Sequence, residues 1–179
     1  MKLLRSIIIS FSVACAAFAS TLYVSCTKES CAIVCANGGV CNGAVCICAT
    51  GYEGSNCQIA SRQKFLGSWT IHETGTISNP AEFPVSIDTI HADTITRIRI
   101  MNFYNKYPTP VFAYVSNGTS LSIPTQIMPN SDTVSGWGTY ATSSTCPTGK
   151  IFLYFKIGST SGVDNFGDST GSPAILGCY

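Results

Sequence analysis

Six cysteines, Cys31, Cys35, Cys41, Cys46, Cys48 and Cys57, fall within 27 consecutive residues. A segment that short cannot bury enough apolar surface to fold on a core alone. Below about 40 residues a chain usually needs disulfides, a metal or oligomerisation. Zinc sites use paired C-x2-C or Cys/His spacings, which are absent here. Disulfides are therefore the expected framework, and they require an oxidising compartment. Residue spacing does not choose among the pairings that six cysteines allow. Ten basic and nine acidic residues are scattered over the 179 positions, so no Lys/Arg cluster offers a nucleic acid site.

The N-terminus agrees with export. Lys2 and Arg5 precede a stretch without charge from Ser6 to Thr27. Its serines and threonines weaken it as a permanent membrane span, and its basic start and small-residue end fit a cleaved signal. Ala17-Phe18-Ala19 is one cleavage site. The stretch Leu22-Tyr23-Val24-Ser25-Cys26 resembles a bacterial lipobox, which implies cleavage before Cys26 and lipidation of its thiol. Lys28-Glu29 after it resembles the Lys-acidic export signal of some gram-negative surface lipoproteins. Parity supports this choice: discarding Cys15 and lipidating Cys26 leaves eight cysteines, an even number. The expected organisation is a signal over 1–25, a lipid-anchored tether over 26–30, a disulfide module over 31–57, a polar linker over 58–64 and a second domain over 65–179.

The module has a specific resemblance. Cys46-Ile47-Cys48-Ala49-Thr50-Gly51-Tyr52-Glu53-Gly54-Ser55-Asn56-Cys57 reads C-x-C-x2-G-Y-x-G-x2-C, and Asn37-Gly38-Gly39-Val40-Cys41 supplies an N-G-G-x-C segment. Together they resemble an EGF-like domain. That resemblance implies the pairs Cys31–Cys41, Cys35–Cys46 and Cys48–Cys57. Calcium-binding members carry acidic or amide ligands before the first cysteine. Here only Lys28-Glu29-Ser30 precedes it, whereas calcium takes roughly six to eight oxygens. No cofactor is expected, and calcium is the single one left open.

From Gln58 onward short runs of β-branched and aromatic residues alternate with Gly, Asn, Pro and Ser, the pattern of an all-β domain. Strands are expected around 69–73, 84–88, 94–103, 111–115, 121–123, 134–140 and 151–155. In the third, Ile98 and Ile100 share one face and Arg97, Arg99 and Met101 the other. Ile151–Phe155 is apolar on both faces and reads as a doubly covered central strand. The expected fold is an antiparallel barrel or sandwich. Gly67-Ser68-Trp69 resembles the G-x-W opening strand of lipocalin-like barrels, which favours a barrel. Cys146 and Cys178 remain as a fourth pair.

No catalytic set emerges. Gly167-Asp168-Ser169-Thr170-Gly171 matches G-x-S-x-G, but that elbow needs a strand-to-helix turn and a later His, and none follows. The segment around Asp164 and Asn165 reads as a solvated turn. His72 and His91 are the only histidines. Asp88-Thr89, Asp93-Thr94 and Asp132-Thr133 resemble Asp-Thr-apolar O-glycosylation sites of some gram-negative bacteria. The expected protein is a non-enzymatic lipoprotein of the cell outer membrane, held through lipid at Cys26 and facing outward. Its β domain is presented on an EGF-like spacer to a protein or glycan ligand. The alternatives are a secreted location, a lipocalin-like carrier of a small apolar ligand, and a small hydrolase.

Overall fold

The computed structural model describes residues 33–90, 94–116 and 118–178. Cys26, Cys31 and His91 lie outside them. Among the described residues there is no α-helix, and no helix is long and apolar enough to cross a membrane.

Two small hairpins come first. β1 (Val40–Asn42) pairs with β2 (Val45–Ile47), and β3 (Tyr52–Glu53) pairs with β4 (Ile59–Ala60). Disulfides join Cys35 to Cys46 and Cys48 to Cys57, with Cα atoms 5.6 and 5.2 Å apart. Both are among the pairs that the EGF-like resemblance implies. Cys41 is disulfide-bonded too. Val34, Val40, Val45 and Ile47 remain exposed, so crosslinks rather than apolar burial hold this segment.

Eight antiparallel strands then close a barrel: β5 (Gly67–Glu73), β6 (Ala81–Asp88), β7 (Arg97–Met101), β8 (Val111–Val115), β9 (Ser120–Ile127), β10 (Thr133–Ser143), β11 (Cys146–Ser159) and β13 (Ala174–Gly177). The order follows the chain as far as β11. β12 (Gly162–Phe166) folds back on the end of β11, and β13 slots between β11 and β5 to complete the wall. An eight-stranded barrel is about wide enough for its own side chains to fill, or for one small ligand. Here alternate residues of the strands point inward, with Ile71, Val85, Ile98, Val111, Ile123 and Leu153 among those buried.

Two prolines that argue against central strands lie where the ladder is open. β6 pairs with β7 only from Ser86 onward, so Pro84 faces no β7 acceptor for the N–H it lacks. Its carbonyl accepts instead from Asn102 Nδ2 at 2.7 Å. Pro124 lies at the irregularity where the β9–β10 register shifts.

The β10–β11 seam explains a pair of glycines. Gly136 and Gly138 face inward opposite Phe155 and Leu153. A Cβ on Gly136 would collide with the Tyr154 carbonyl and stand 2.7 Å from Phe155 Cα. Backbone cannot yield as a flexible side chain does. Gly136→Val is therefore expected to cost about 1–3 kcal/mol by overpacking, read as a drop in the urea midpoint at constant slope. A midpoint equal to the wild type would show that the strands separate freely there.

Two expectations are corrected. Residues 58–64 are not an open linker. Ile59–Ala60 forms β4, Ser61–Phe65 makes a 3-10 turn, and Ser61 and Phe65 are buried. The charges that suggest a linker serve as ties: Lys64 Nζ lies 2.7 Å from Glu53, and Arg62 donates to the Thr94 carbonyl at 2.8 Å. Nor is Ile151–Phe155 covered on both faces. Ile151, Leu153 and Phe155 fill the interior, whereas Phe152 and Tyr154 stay half-exposed outside. In a single-layer wall, outward aromatics are covered by neighbouring side chains rather than by a second sheet.

Candidate functional site

β5, β7, β9 and β11 carry the chain away from the disulfide module, so the barrel has a module end and a far end. At the module end, Phe65 is fully buried and meets Tyr140 edge-on at 5.8 Å. Gly67 takes a φ of +129°, which suits glycine, and lets the strand start immediately after the turn. Trp69 is half-buried, donates its indole N–H to the Phe65 carbonyl at 2.9 Å and packs on the core. Phe65 is the residue that plugs this end, with Trp69 beside it. Cys146 and Cys178 are bonded here as well.

The far end gathers the polar chemistry. Phe103, Phe155 and Phe166 close the interior, the last two stacked at 4.2 Å. Above them lies Asp164 of β12, which is buried rather than part of a solvated turn. It accepts from the N–H groups of Ile77 and Ser78 at 2.9 and 3.2 Å and from Tyr104 Oη at 3.1 Å. Burial would raise this carboxyl, but those donors outweigh burial and hold it below its ordinary value. The loop over 74–80 is thus drawn onto one carboxylate, and Gly75 is required because a Cβ would run into Asp164. Tyr104 has a left-handed φ of 57°, unusual for an aromatic, and its ring leans on Phe166 at 5.8 Å.

Glu73 is the inward residue at the end of β5, and only 5% of its surface is exposed. Its Oε2 has no hydrogen-bond partner among the described residues. Loss of hydration, and then the nearby Asp164 charge, push its pKa up to about 8. Near neutral pH this pair therefore holds one neutral carboxylic acid, Glu73, and one carboxylate, Asp164. Asp132, also at this end, accepts from Lys106, Tyr107 and Asn130 at 2.7–2.9 Å, and Lys106 first among them keeps it ionised below its usual range.

A groove outside the far end is lined by His72, Glu73, Glu82 and Ser172. His72 Nδ1 lies 3.3 Å from Glu82, its cross-strand partner. The Glu82 side chain is mostly in solvent, so this pair stands on open surface rather than in a site that excludes water. Asp164 is already surrounded by donors, which leaves it little capacity to act as a base.

The other sequence candidates are dispersed. The G-x-S-x-G match is a loop in which Asn165 Oδ1 accepts from the N–H groups of Ser169 and Thr170. Thr94 and Thr133 are exposed and Thr89 half-buried. The Asp residues before Thr89 and Thr133 are engaged: Asp88 pairs with Arg99 at 2.7 Å, and Asp132 is in the cluster above. Among the described residues no three His, Cys, Asp or Glu side chains gather as a metal site. Glu73 and Asp164 escape local pattern reading, because their shared environment joins residues about ninety positions apart. No protein-family model matches this chain, and no curated protein proves similar to it.

Proposed function

We propose that this protein is a non-catalytic surface lipoprotein, anchored in the outer membrane through Cys26. In this reading an EGF-like segment holds the barrel away from the membrane, and the barrel binds its ligand or partner on its outside. The observation that carries the reading is the filled interior. Phe65, Phe103, Phe155 and Phe166, with Leu153 and Ile151 between them, are wholly removed from solvent. A barrel occupied by its own side chains gives a carried apolar ligand no room, so recognition falls to the outer wall and the ends. The ties from Arg62 and Lys64 support a spacer that transmits orientation, because they fasten the segment to the barrel instead of leaving it on a string. The disulfides fit an oxidising location.

The test takes two measurements from one sample of native cells. Mass spectrometry of the mature N-terminus is expected to find an acylated, thioether-modified Cys26, and an unmodified Ser20 start would overturn the anchor. Photo-crosslinkers placed at outward positions of β8–β11 on intact cells are expected to capture a partner. Equal capture from buried positions, or none from either, would overturn the binding role.

A further inference from the structure

Exposed apolar side chains concentrate in the cysteine-rich segment. Val34, Val40, Val45 and Ile47 are 87, 66, 61 and 56% exposed. Three of them form one face of the first hairpin. Val40 of β1 stands opposite Ile47 of β2, and Val45 shares the strand phase of Ile47. Cys41 and Cys46 take the other phase and are half-buried, so the crosslinked side is the sheltered one and the aliphatic side faces water. Asn42, opposite Val45 at the turn, is the polar member of this face. Charge is missing as well. Glu53 is the only charged residue between positions 33 and 60, and it is paired with Lys64 at 2.7 Å. An apolar surface with neither charge nor cover marks a contact with a partner or a membrane.

Two observations choose the membrane. The face is small, carried on two strands of three residues each, whereas a stable protein interface takes about 800 Å² from each side. It also holds only Val, Ile and Asn, and none of the Trp, Tyr, Phe, Met or Arg that anchor such interfaces. The second observation is its tether. Cys41 is disulfide-bonded, and the other six described cysteines are bonded to one another. Its partner is therefore one of Cys15, Cys26 and Cys31. In the anchored reading Cys15 leaves with the signal and the Cys26 thiol is acylated, so Cys31 is the one left. The chain from Cys26 to Cys31 reaches at most about 17–18 Å, and a disulfide adds about 6 Å. The middle of β1 is thus held within about 24 Å of the lipid, where even a weak contact is intramolecular.

We infer that the face of Val40, Val45 and Ile47 seats on the bilayer beside the lipidated Cys26, and that the segment is a foot fixing the barrel's orientation. The acyl chains supply most of the affinity, and the aliphatic face supplies a second, directional contact. Val and Ile lose water there without drawing an ionised group into the headgroup layer. Orientation then passes to the barrel through three ties: Lys64 with Glu53, Arg62 with the Thr94 carbonyl, and Gly51, whose missing side chain lets Ile95 lie against it. The module end of the barrel is turned to the lipid, and the Asp164 end faces outward. This inference rests on the anchored reading above and adds what the cysteine-rich segment itself touches.

The test uses the full native chain, extracted from cell membranes and reconstituted in phosphatidylethanolamine–phosphatidylglycerol vesicles whose acyl chains carry a diazirine. After illumination, lipid adducts are mapped by mass spectrometry. They are expected at Val40, Val45 or Ile47, and not at Ile127 or Val163, barrel residues that are 76 and 55% exposed. The double variant Val45→Glu, Ile47→Glu should keep the melting temperature, because exposed positions tolerate exchange. It should lower hairpin labelling roughly tenfold or more, because two carboxylates are repelled from an anionic surface. Labelling spread evenly over hairpin and barrel would overturn the inference, as would a double variant labelled like the wild type. Adducts confined to the residues before Ile33 would overturn it too, and so would capture of a protein in place of lipid by a photo-crosslinker at Val45 on intact cells. The same digest reports the modification of Cys26. Acylated Cys26 with an unlabelled hairpin removes the foot and leaves the anchor; an unmodified Cys26 removes both.

Discussion

Glu73→Gln is expected to stabilise the protein above neutral pH and to flatten its stability profile between pH 5 and 9. In the folded chain this carboxyl titrates near 8, because it is buried and faces the Asp164 charge; its ordinary value is 4.5. Between those two values the folded state holds a proton that the unfolded chain has released. Folding is then linked to proton uptake, so stability falls as pH rises through that window. The penalty is absent below about 4.5 and complete above about 8. Its upper bound is about 5 kcal/mol, from roughly 1.4 kcal/mol for each tenfold change in proton affinity, and relaxation of the 74–80 loop reduces it to about 3–5. Glutamine keeps the shape and cannot ionise, so the variant should gain most at pH 8.5 and least at pH 5. Asp164 works in the opposite sense: its lowered value gives stability that is present at neutral pH and lost only as acid is added. It therefore leaves this window clear. Chemical denaturation of both proteins at five pH values gives the result directly. Parallel profiles would mean that Glu73 escapes its burial by moving into water.

The period-2 phase set by Ile71 puts Glu73 on the inward face of β5, but a carboxylate at the end of a strand reads as solvated, and the contrast with β7 shows why. There the alternation of Ile98 and Ile100 with Arg97, Arg99 and Met101 states the strand's phase outright, because isoleucine and arginine differ so much in cost of burial. Gly67 and Trp69 likewise mark the start of the barrel. β11 is ambiguous, because aromatics serve either side of a wall. Phe152 and Tyr154 look like core residues until Trp137 and Lys150 are known to cover them from outside. β12 reads as a turn, since Asp164 and Asn165 are poor strand residues and locally favour loops. Both are buried because loops distant in the chain, or folded back on it, bring donors to them: Ile77 and Ser78 to Asp164, Ser169 and Thr170 to Asn165. Residues 58–64 are illegible for a related reason. A lysine and an arginine look solvated until Glu53 and the Thr94 carbonyl are placed beside them. Local pattern reports the apolar phase of a strand; it does not report polar partners supplied by another part of the fold.

The double substitution Cys146→Ala, Cys178→Ala should cost about 3.5–4 kcal/mol, by the loop-closure relation for the 32-residue separation between these cysteines. The location argues for the full effect. β13 has only four residues, yet it completes the barrel, and its ladder to β5 consists of Ile175 opposite His72 and Leu176 opposite Ile71. Cys178 follows it at once, tied to the buried Cys146 at the start of β11. Without that tie the last strand is free to fray, and fraying exposes Leu176, Ala174 and the Ile71 side of β5 together. The interior then opens at the β5–β13 seam before any other, because the other pairs in the wall are joined through longer ladders or a short turn. A loss of this size corresponds to a fall in melting temperature of about 15 °C for a domain of this length. Thiol reductants should produce the same fall in the wild type by entering at the half-exposed Cys178, since only Cys146 is buried. Hydrogen exchange should show Ile175 and Leu176 losing protection first. A variant melting within a few degrees of the wild type, with those amides still protected, would mean that β13 holds its place by packing alone and that an oxidising environment is needed only by the cysteine-rich segment before the barrel.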